Sequence, residues 1–295
     1  METSIWYGLI IGNSRLHWSQ WSGETLLKVV HTPHWCLDTS LSLDHSCIHS
    51  HIRPPSNCLP VPEEDLVNAE IWIASVVPSQ TKQWQGYYGH PQMVTLADVP
   101  LSNPYPSLGI DRALAMWGAE NHWGCPVLVI DGGTALTITG MDAHGQLVGG
   151  AILPGLMSQF VTLSQTTAML PWTEMPTALP KRWALDTTEA ITSGIIHTLI
   201  SGIQQFVHHW WLNFPGSPVV LTGGDGDRLY EYLTQYDAKF AGQLSKDSVL
   251  VFKGLSNVRR IHPNFPALTL DPSPSFGERL QSSSPSFILG EGVGE

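Results

Sequence analysis

Asp131, Gly132, Gly133 and Thr134 are the residues whose types and spacing most clearly suggest chemistry. An apolar run at residues 126–130 leads into this turn, and a Thr-rich run leaves it. Glycines let backbone N–H groups approach a phosphate because no Cβ stands in the way, and Thr134 adds a hydroxyl donor. A carboxylate repels a phosphate, so we expect Asp131 to act through a cation. The turn therefore predicts one half of a nucleotide phosphate clamp.

A similar turn lies near the N-terminus and supplies the second half of the predicted clamp. It consists of Gly12, Asn13 and Ser14. Its strands are predicted at residues 7–11, 15–21 and 25–31. The order strand, glycine turn, strand, glycine turn, strand thus begins near Trp6 and again near Val127. A repeat of this kind predicts two similar lobes with a ligand between them. Chance similarity between two hairpins is the alternative.

The duplicated hairpins predict an α/β fold with two ribonuclease H-like lobes and a ligand cleft between them. This is the plan of the superfamily that contains acetate kinase, sugar kinases, Hsp70 and actin. We assign residues 1–117 to the N-terminal lobe and residues 118–271 to the C-terminal lobe. Residues 272–295 are rich in Ser, Pro and Gly, and are predicted to be a disordered tail.

Composition limits the classes of function. The 295 residues with 42% hydrophobic content are enough for two cores. A net charge of −11 with only 14 Lys and Arg disfavours a nucleic-acid-binding surface. The four cysteines form no CxxC pair, and the sequence contains neither a signal-peptide pattern nor an apolar run of membrane-spanning length. We therefore expect a cytoplasmic protein that binds neither nucleic acid nor membrane.

Three further elements complete the predicted framework. A helix is predicted at residues 111–123, and a longer one at residues 186–211 with Ile196, Phe206 and Trp210 on its apolar face. Asp186 and Glu189 resemble a capping box at the start of the longer helix. A strand at residues 219–221 is followed by a turn. That turn consists of Thr222, Gly223 and Gly224.

Nine motifs in this order resemble those of the type III pantothenate kinases, bacterial enzymes of the first step of coenzyme A synthesis. They are GNS at 12–14, SVVP at 75–78, NPYPSLGIDR at 103–112, WGA at 117–119, DGGTALT at 131–137, GGAILPG at 149–155, AMLP at 168–171, TTEAITSGI at 187–195 and TGGDG at 222–226. The resemblance runs from about residue 6 to residue 270. No single motif is decisive, but nine at suitable spacing are specific.

The resemblance implies transfer of the γ-phosphoryl group of ATP to the terminal hydroxyl of pantothenate. Asp111 is then the catalytic base, and Arg112 pairs with the pantothenate carboxylate. The other implied pantothenate contacts are Tyr105, Gly109, Ile110 and Thr187. The implied ATP contacts are Gly12, Asn13, Ser14, Gly132, Gly133, Thr134, Thr222, Gly223 and Gly224. Asp131 is implied to hold a monovalent cation such as potassium or ammonium. Mg²⁺ accompanies the ATP, and the family implies a homodimer.

Each of these residues also has a purely structural interpretation. Asp111 could cap the helix that follows it, and Arg112 could be a surface arginine. Tyr105 could serve only in loop packing, and Thr187 could be only the first residue of a helix. Without the family resemblance, Asp131 has the strongest case for a functional role. A buried carboxylate without a partner costs several kcal/mol, so this side chain needs a partner.

Two positions depart from the family pattern. The first phosphate turn of the family reads Asp-x-Gly-Asn-Ser/Thr, but Ile10 stands at the Asp position. A lysine is usual a few residues later, where this chain has His17. The two changes together leave the net charge of the site nearly constant, so activity can be retained. They can also mark a chain that binds ligands but no longer transfers phosphate.

Three functional classes therefore remain: the pantothenate kinase, a non-catalytic regulatory relative, and a different kinase or phosphatase of the superfamily. The GIDR residues at 109–112 and the TTEAITSG residues at 187–194 argue against the third class. A zinc site is a separate hypothesis for the His- and Cys-rich residues 31–58. A solvent-exposed loop is favoured there, because no CxxC pair is present and the Ser- and Pro-rich surroundings oppose a helix.

Overall fold

The computed structural model describes residues 4–36, 53–66, 69–88 and 90–262. The first of its two sheets has the strand order β3-β2-β1-β4-β5. Its strands are β1 (Ile5–Ile11), β2 (Leu16–Ser22), β3 (Thr25–Thr32), β4 (Glu70–Ser75) and β5 (Gln92–Val94). β2 is antiparallel to both β1 and β3, whereas β4 is parallel to both β1 and β5.

The second sheet repeats this arrangement, with the order β10-β9-β6-β7-β8. Its strands are β6 (Val127–Gly132), β7 (Ala135–Met141), β8 (Leu147–Pro154), β9 (Val219–Thr222) and β10 (Ser245–Lys246). β6, β7 and β8 form an antiparallel meander, and β9 is parallel to β6 and β10. The repeat predicted from the two glycine turns is confirmed, and so is the fold class of two duplicated α/β lobes.

Helices cover the outer faces of both sheets and fill the space between them. Two short 3₁₀ helices, Ser56–Cys58 and Leu96–Asp98, lie in connections. The helices are α1 (Glu63–Leu66), α2 (Pro78–Tyr88), α3 (Ile110–Trp123), α4 (Leu156–Thr166), α5 (Thr187–Asn213), α6 (Gly226–Tyr236), α7 (Ala238–Ala241) and α8 (Leu250–Ile261). The two predicted helices correspond to α3 and α5. Among the described residues, no helix combines the length and apolar character needed to cross a bilayer.

α3 and α8 form the central layer, because apolar residues of both sheets pack against them. Ile10 of β1 and Val129 of β6 belong to the same buried cluster as Leu114 of α3. The two helices approach closely at glycines: a Cβ on Gly254 would lie 1.9 Å from the carbonyl oxygen of Leu114. The predicted lobe boundary after residue 117 falls inside α3, and a division of the chain there stays a prediction. The predicted tail at 272–295 lies outside the described residues.

α5 packs against the outer face of the second sheet. The Asp186 carboxylate accepts a hydrogen bond from the Glu189 amide at 2.9 Å, which confirms Asp186 as the N-cap. Among the described hydrogen bonds, none joins the Asp186 amide to the Glu189 side chain, so the second half of the predicted capping box is not formed. Ile196 and Trp210 are buried in the outer core, as the helical periodicity predicts. Phe206 is 49% exposed, so its predicted place on the buried face is wrong. The helix presents a narrower apolar stripe to the sheet than the sequence pattern suggests.

Glu70 of β4 and Arg259 of α8 tie the first sheet to the central layer. Arg259 donates from Nε and Nη2 to the two carboxylate oxygens of Glu70, each at 2.8 Å. The guanidinium also lies over the Trp6 ring, 4.7 Å from its centroid. Burial acts to raise the pKa of Glu70, but hydrogen bonds from Arg259 and Trp72 outweigh it and the pKa lies below its ordinary value. The pair is therefore a two-hydrogen-bond link between layers.

We expect Glu70→Gln to lower the free energy of unfolding near neutral pH by about 1 kcal/mol, a small value because the pair is partly exposed and screened. The folded pKa lies below the unfolded one, so the stabilisation is present above the unfolded pKa and is lost as the pH falls through the folded pKa. In urea denaturation, the difference in the free energy of unfolding between Glu70→Gln and wild type should therefore be smaller in acid than near neutral pH. Glu231→Gln, in the exposed pair with Arg228, is the control with little effect. An equal loss at both pH values would contradict the ionic role.

Candidate active site

The first glycine turn connects β1 to β2 and faces the second lobe. The Gly12 amide donates to the Arg15 carbonyl at 3.1 Å, which closes the turn, and Asn13 is exposed at its tip. The Ser14 hydroxyl lies 2.7 Å from the Thr134 hydroxyl in the second turn. This hydrogen bond joins residues of the two repeats that are 120 positions apart. The two halves of the predicted phosphate clamp therefore meet at one place.

The second glycine turn, between β6 and β7, is held by three neighbouring segments. The Thr134 carbonyl accepts hydrogen bonds from the Gly155 amide at 2.9 Å and the Ser158 hydroxyl at 2.7 Å. The Gly132 carbonyl accepts from the Asp225 amide at 2.7 Å, which brings the turn after β9 alongside. The residues predicted to contact ATP from the second lobe thus lie on two adjoining turns.

Asp131 lies next to these turns, near the end of the central strand β6. Burial raises the pKa of its carboxyl group to about 7; the negative charge of Asp111 adds to the rise, and Arg112 opposes it. Among the residues that the structure describes, no basic side chain lies within ion-pair distance of this carboxylate. A carboxylate in such a place gains most from a bound cation, so its surroundings fit the predicted role.

Gly223 makes the tightest approach to Asp131. Its φ is +87°, and a Cβ at this position would lie 2.2 Å from Asp131 Oδ1 and 2.7 Å from the Gly132 amide nitrogen. Both the left-handed backbone and the close contact exclude a side chain. The turn therefore needs glycine here in order to pack against the Asp131 carboxylate.

We expect Gly223→Ala to weaken nucleotide binding by about tenfold or more, because the new Cβ must displace the Asp131 carboxylate or the Gly132 backbone. Isothermal titration calorimetry with a non-hydrolysable ATP analogue measures this. Gly202→Ala in α5 is the matched control, since a Cβ there would meet no atom within 4 Å. Wild-type affinity in Gly223→Ala would contradict the placement of the turn in the site.

Asp111 lies in the first turn of α3, where the helix N-terminus carries partial positive charge. The N-cap is Gly109, and the cap has no side-chain hydrogen bond, so Asp111 is not the N-cap residue that its structural interpretation requires. Its Oδ1 accepts a hydrogen bond from the backbone amide of Arg112 at 2.8 Å. Gly109 allows this approach, because a Cβ there would lie 2.6 Å from the same oxygen. The carboxylate is also close enough to Asp131 to affect its pKa.

Arg112 is buried, with 7% of its surface exposed, so the interpretation as a surface arginine is wrong. Its Nε and Nη2 donate to the Thr139 hydroxyl at 3.1 and 2.9 Å, and its Nη1 donates to the Tyr105 hydroxyl at 2.6 Å. Tyr105 thus does more than pack the loop. Among the described residues no carboxylate forms an ion pair with Arg112. A buried guanidinium that has only hydroxyl partners is well suited to bind an anionic ligand.

The two departures from the family pattern, Ile10 and His17, have different surroundings in the structure. Ile10 is buried in the central core and pairs with His17 in β2 and Ala74 in β4. It is the topological counterpart of Asp131, since each is the next-to-last residue of a central strand. His17 lies beside the first turn and contacts His31. The first lobe therefore places an isoleucine where the second places the Asp131 carboxylate.

One residue predicted to contact pantothenate, Thr187, makes no contact with the other predicted site residues through a described hydrogen bond. Thr187 is exposed at the start of α5, and no hydrogen bond of the described residues links it to Tyr105, Asp111 or Arg112. Its role stays a prediction. Thr139, the partner of Arg112, was not predicted, although it follows Thr137 on the same face of β7 and alternation along the strand could have identified it.

The disfavoured hypothesis of a zinc site in the His- and Cys-rich segment finds no support among the described residues. His31, His34, Cys36 and Cys58 are described, whereas His45, Cys47, His49 and His51 lie outside them. Among the residues with described positions, no group of three or more His, Cys, Asp and Glu side chains is placed to hold a metal ion.

Comparison with known proteins identifies a family for this site. The sequence model of the type III pantothenate kinases matches residues 9–209. The chain is 42% identical over 268 residues to the type III pantothenate kinase of Nostoc sp. (strain PCC 7120), covering 86% of this chain and 94% of the relative. It is 44% identical over 255 residues to the type III pantothenate kinase of Synechocystis sp. (strain PCC 6803), covering 86% of this chain and 90% of the relative.

A solved structure supports the fold independently. A conserved Campylobacter jejuni protein assigned to the Baf family of transcriptional activators superposes with a TM-score of 0.52 at 18% identity, covering 88% of this chain and 99% of that chain. At this identity the likeness shows the fold alone. The family match spans both glycine turns and the segment with Tyr105, Asp111 and Arg112, and the relatives match most of the chain at high identity. This chain therefore belongs to the type III pantothenate kinase family.

Proposed function

We propose that the protein transfers the γ-phosphoryl group of ATP to the terminal hydroxyl of pantothenate, giving 4′-phosphopantothenate, the first step of coenzyme A biosynthesis. One observation carries the proposal beyond family membership. The buried Arg112 guanidinium has no carboxylate partner among the described residues, and it lies beside Asp111 and close to Asp131. A substrate with a carboxylate at one end and a hydroxyl at the other matches this arrangement.

Phosphoryl transfer asks the protein mainly for positioning and for neutralisation of charge. Asp111 orients the pantothenate hydroxyl and accepts its proton as the bond to phosphorus forms. Arg112 binds the carboxylate, with Tyr105 and Thr139 holding the guanidinium in place. The Gly109 and Ile110 backbone and Thr187 complete the pantothenate site. The glycine turns after β1, β6 and β9 surround the triphosphate with backbone N–H donors.

Cations complete the proposed site. Asp131 holds a monovalent cation, potassium or ammonium, which removes the cost of a buried carboxylate next to Asp111. Mg²⁺ enters with ATP and neutralises charge on its β- and γ-phosphates. The Ile10 side chain supplies no ligand to either ion, so binding of Mg²⁺ relies on the phosphate oxygens and on the second lobe.

The proposed assembly is a cytoplasmic homodimer. The segment between α4 and α5 exposes several large apolar side chains, which a second copy would cover. They are Met169, Trp172, Trp183 and Leu185. Trp183 is 86% exposed, an unusual degree for an indole ring in a monomer.

We expect Trp183→Asp to convert the dimer to a monomer, because a carboxylate would be buried at the interface without a partner. Multi-angle light scattering after size-exclusion chromatography measures the mass. Leu27→Asp is the control, since Leu27 is 52% exposed on the first sheet and should leave the mass unchanged. A wild-type protein that is monomeric at micromolar concentration would rule out the proposed interface.

The proposed function is tested by coupled ADP release from the purified chain with Mg-ATP and pantothenate. Pantothenate-dependent turnover that potassium or ammonium stimulates is the expected result. ATP hydrolysis that does not respond to pantothenate would refute the assigned acceptor. ATP binding without turnover would instead favour the non-catalytic regulatory relative, with Ile10 as the cause.

A further inference from the structure

Three histidines gather at the first phosphate turn. His34 lies with Nε2 2.7 Å from the carbonyl oxygen of Gly12. His17 also lies against the turn, and a Cβ on Gly12 would be 3.2 Å from its Nε2. His31, opposite His17 in the β2–β3 register, lies with Nδ1 2.8 Å from Nδ1 of His17. The kinase chemistry derived above uses none of these rings.

The distance between the two Nδ1 atoms restricts how protons are placed on this pair. A hydrogen bond between two imidazole nitrogens needs one proton, so one ring donates and the other accepts. In a neutral pair, the ring that accepts at Nδ1 carries its own proton on Nε2. If His31 donates, His17 presents an Nε2–H group at the turn. If His17 donates, it presents a lone pair there instead.

The surroundings favour a neutral pair. Burial lowers the pKa of His17 to about 4, and the charges of His31, Arg15 and His34 act in the same direction. Burial and Arg15 also lower the pKa of His31. On β1, the residue paired with His17 is the apolar Ile10. Among the described residues, none forms a hydrogen bond to His17 Nε2, so this atom lacks a protein partner beside the phosphate turn.

His34 has a complementary role at the same turn. Since a carbonyl oxygen only accepts, His34 must carry its proton on Nε2 and donate to Gly12. This bond fixes the peptide group between Gly12 and Asn13, one residue beyond the end of β1. The turn is thus held by an imidazole donor at the Gly12 carbonyl, and the unpartnered His17 nitrogen lies beside the Gly12 Cα.

We propose that His17 binds the triphosphate and that His31 positions it: in the nucleotide complex, His31 Nδ1–H donates to His17 Nδ1 and His17 Nε2–H donates to a phosphate oxygen. This inference rests on the proposed placement of ATP between the glycine turns. The phosphate selects one of the two proton arrangements, because only an N–H group can donate to it. The pair thereby supplies a neutral donor of fixed direction.

Nucleotide affinity tests the binding role. By calorimetry with a non-hydrolysable ATP analogue and Mg²⁺, His17→Leu should bind about tenfold more weakly or worse, the loss expected for a hydrogen bond to a charged group. His17→Gln retains an amide donor near the Nε2 position and should keep most of the affinity. His209→Leu, exposed on α5, is the control. Equal affinities of His17→Leu and wild type would overturn the proposal.

Nitrogen-15 NMR of the histidine rings tests the positioning role without relying on the stability of any leucine variant. In the wild-type complex, His17, assigned by the signal missing from His17→Gln, should be protonated at Nε2 and not at Nδ1. His31→Leu should bind more weakly and show mixed tautomers at His17. Protonation at Nδ1 in the wild-type complex would overturn this inference alone. Absence of nucleotide binding by the wild type would overturn the proposed function together with it.

Discussion

Asp111→Asn is expected to lower kcat by about a hundred- to ten-thousandfold while leaving the affinity for ATP nearly unchanged. The asparagine amide can still hydrogen bond to the substrate hydroxyl, but it cannot accept the proton that leaves as phosphorus is attacked. Nucleotide binding should persist, because the turns around Gly12, Gly132 and Gly223 do not depend on this side chain. Steady-state kinetics together with calorimetry separate the two effects.

The substitution is also conservative for folding. Asp111 Oδ1 accepts the Arg112 amide, and the asparagine carbonyl can do the same. Asp227→Asn, in an exposed ion pair with Lys246, is the matched control and should retain full turnover. Turnover of Asp111→Asn at the wild-type rate would remove Asp111 from the proposed catalytic role. A matching loss of ATP affinity would indicate general damage to the cleft.

Arg112→Lys should raise the KM for pantothenate by about ten- to a hundredfold. Lysine keeps the charge but has no planar fork, so the bidentate pairing with a carboxylate is lost. It also cannot reach the Tyr105 and Thr139 hydroxyls together, which hold the guanidinium in the wild type. We expect the KM for ATP to change little.

The alcohol analogue of pantothenate, which lacks the carboxylate, makes this test specific. Wild-type enzyme should prefer pantothenate strongly over the alcohol, and Arg112→Lys should lose most of that preference. Tyr105→Phe removes a single hydrogen bond to the guanidinium and should show a smaller effect in the same direction. An unchanged preference in Arg112→Lys would mean that the carboxylate binds elsewhere.

The fold could be predicted largely from local sequence signals. Glycine turns between apolar runs determine where the hairpins lie, and because the pattern occurs twice it predicts two similar sheets. The N-cap of α5 could also be predicted, since the Asp186 carboxylate accepts a hydrogen bond from an amide only three residues away. The exposed Phe206 marks the limit of periodicity, which predicts a helical face but not how wide a surface its sheet covers.

The site was predicted where a residue's role follows from its own motif, and missed where the role depends on a distant partner. Asp131 and Gly223 belong to recognisable turns, yet their contact depends on β6 and β9 lying side by side. The support of Arg112 by Thr139, and of Gly12 by His34, joins segments that are far apart in the chain. Such hydrogen bonds have no local signature, because they arise only when the strands are assembled.

We propose that this chain phosphorylates pantothenate at a site containing Asp111. This proposal is tested most directly by mass spectrometry of the product formed from pantothenate and ATP labelled with ¹⁸O in the γ-phosphoryl group. We expect 4′-phosphopantothenate that carries the labelled phosphoryl group, together with an equal amount of ADP. Asp111→Asn should form little of either under the same conditions. Absence of labelled phosphopantothenate with the wild-type protein, when that protein binds both ATP and pantothenate, would contradict the proposed kinase function.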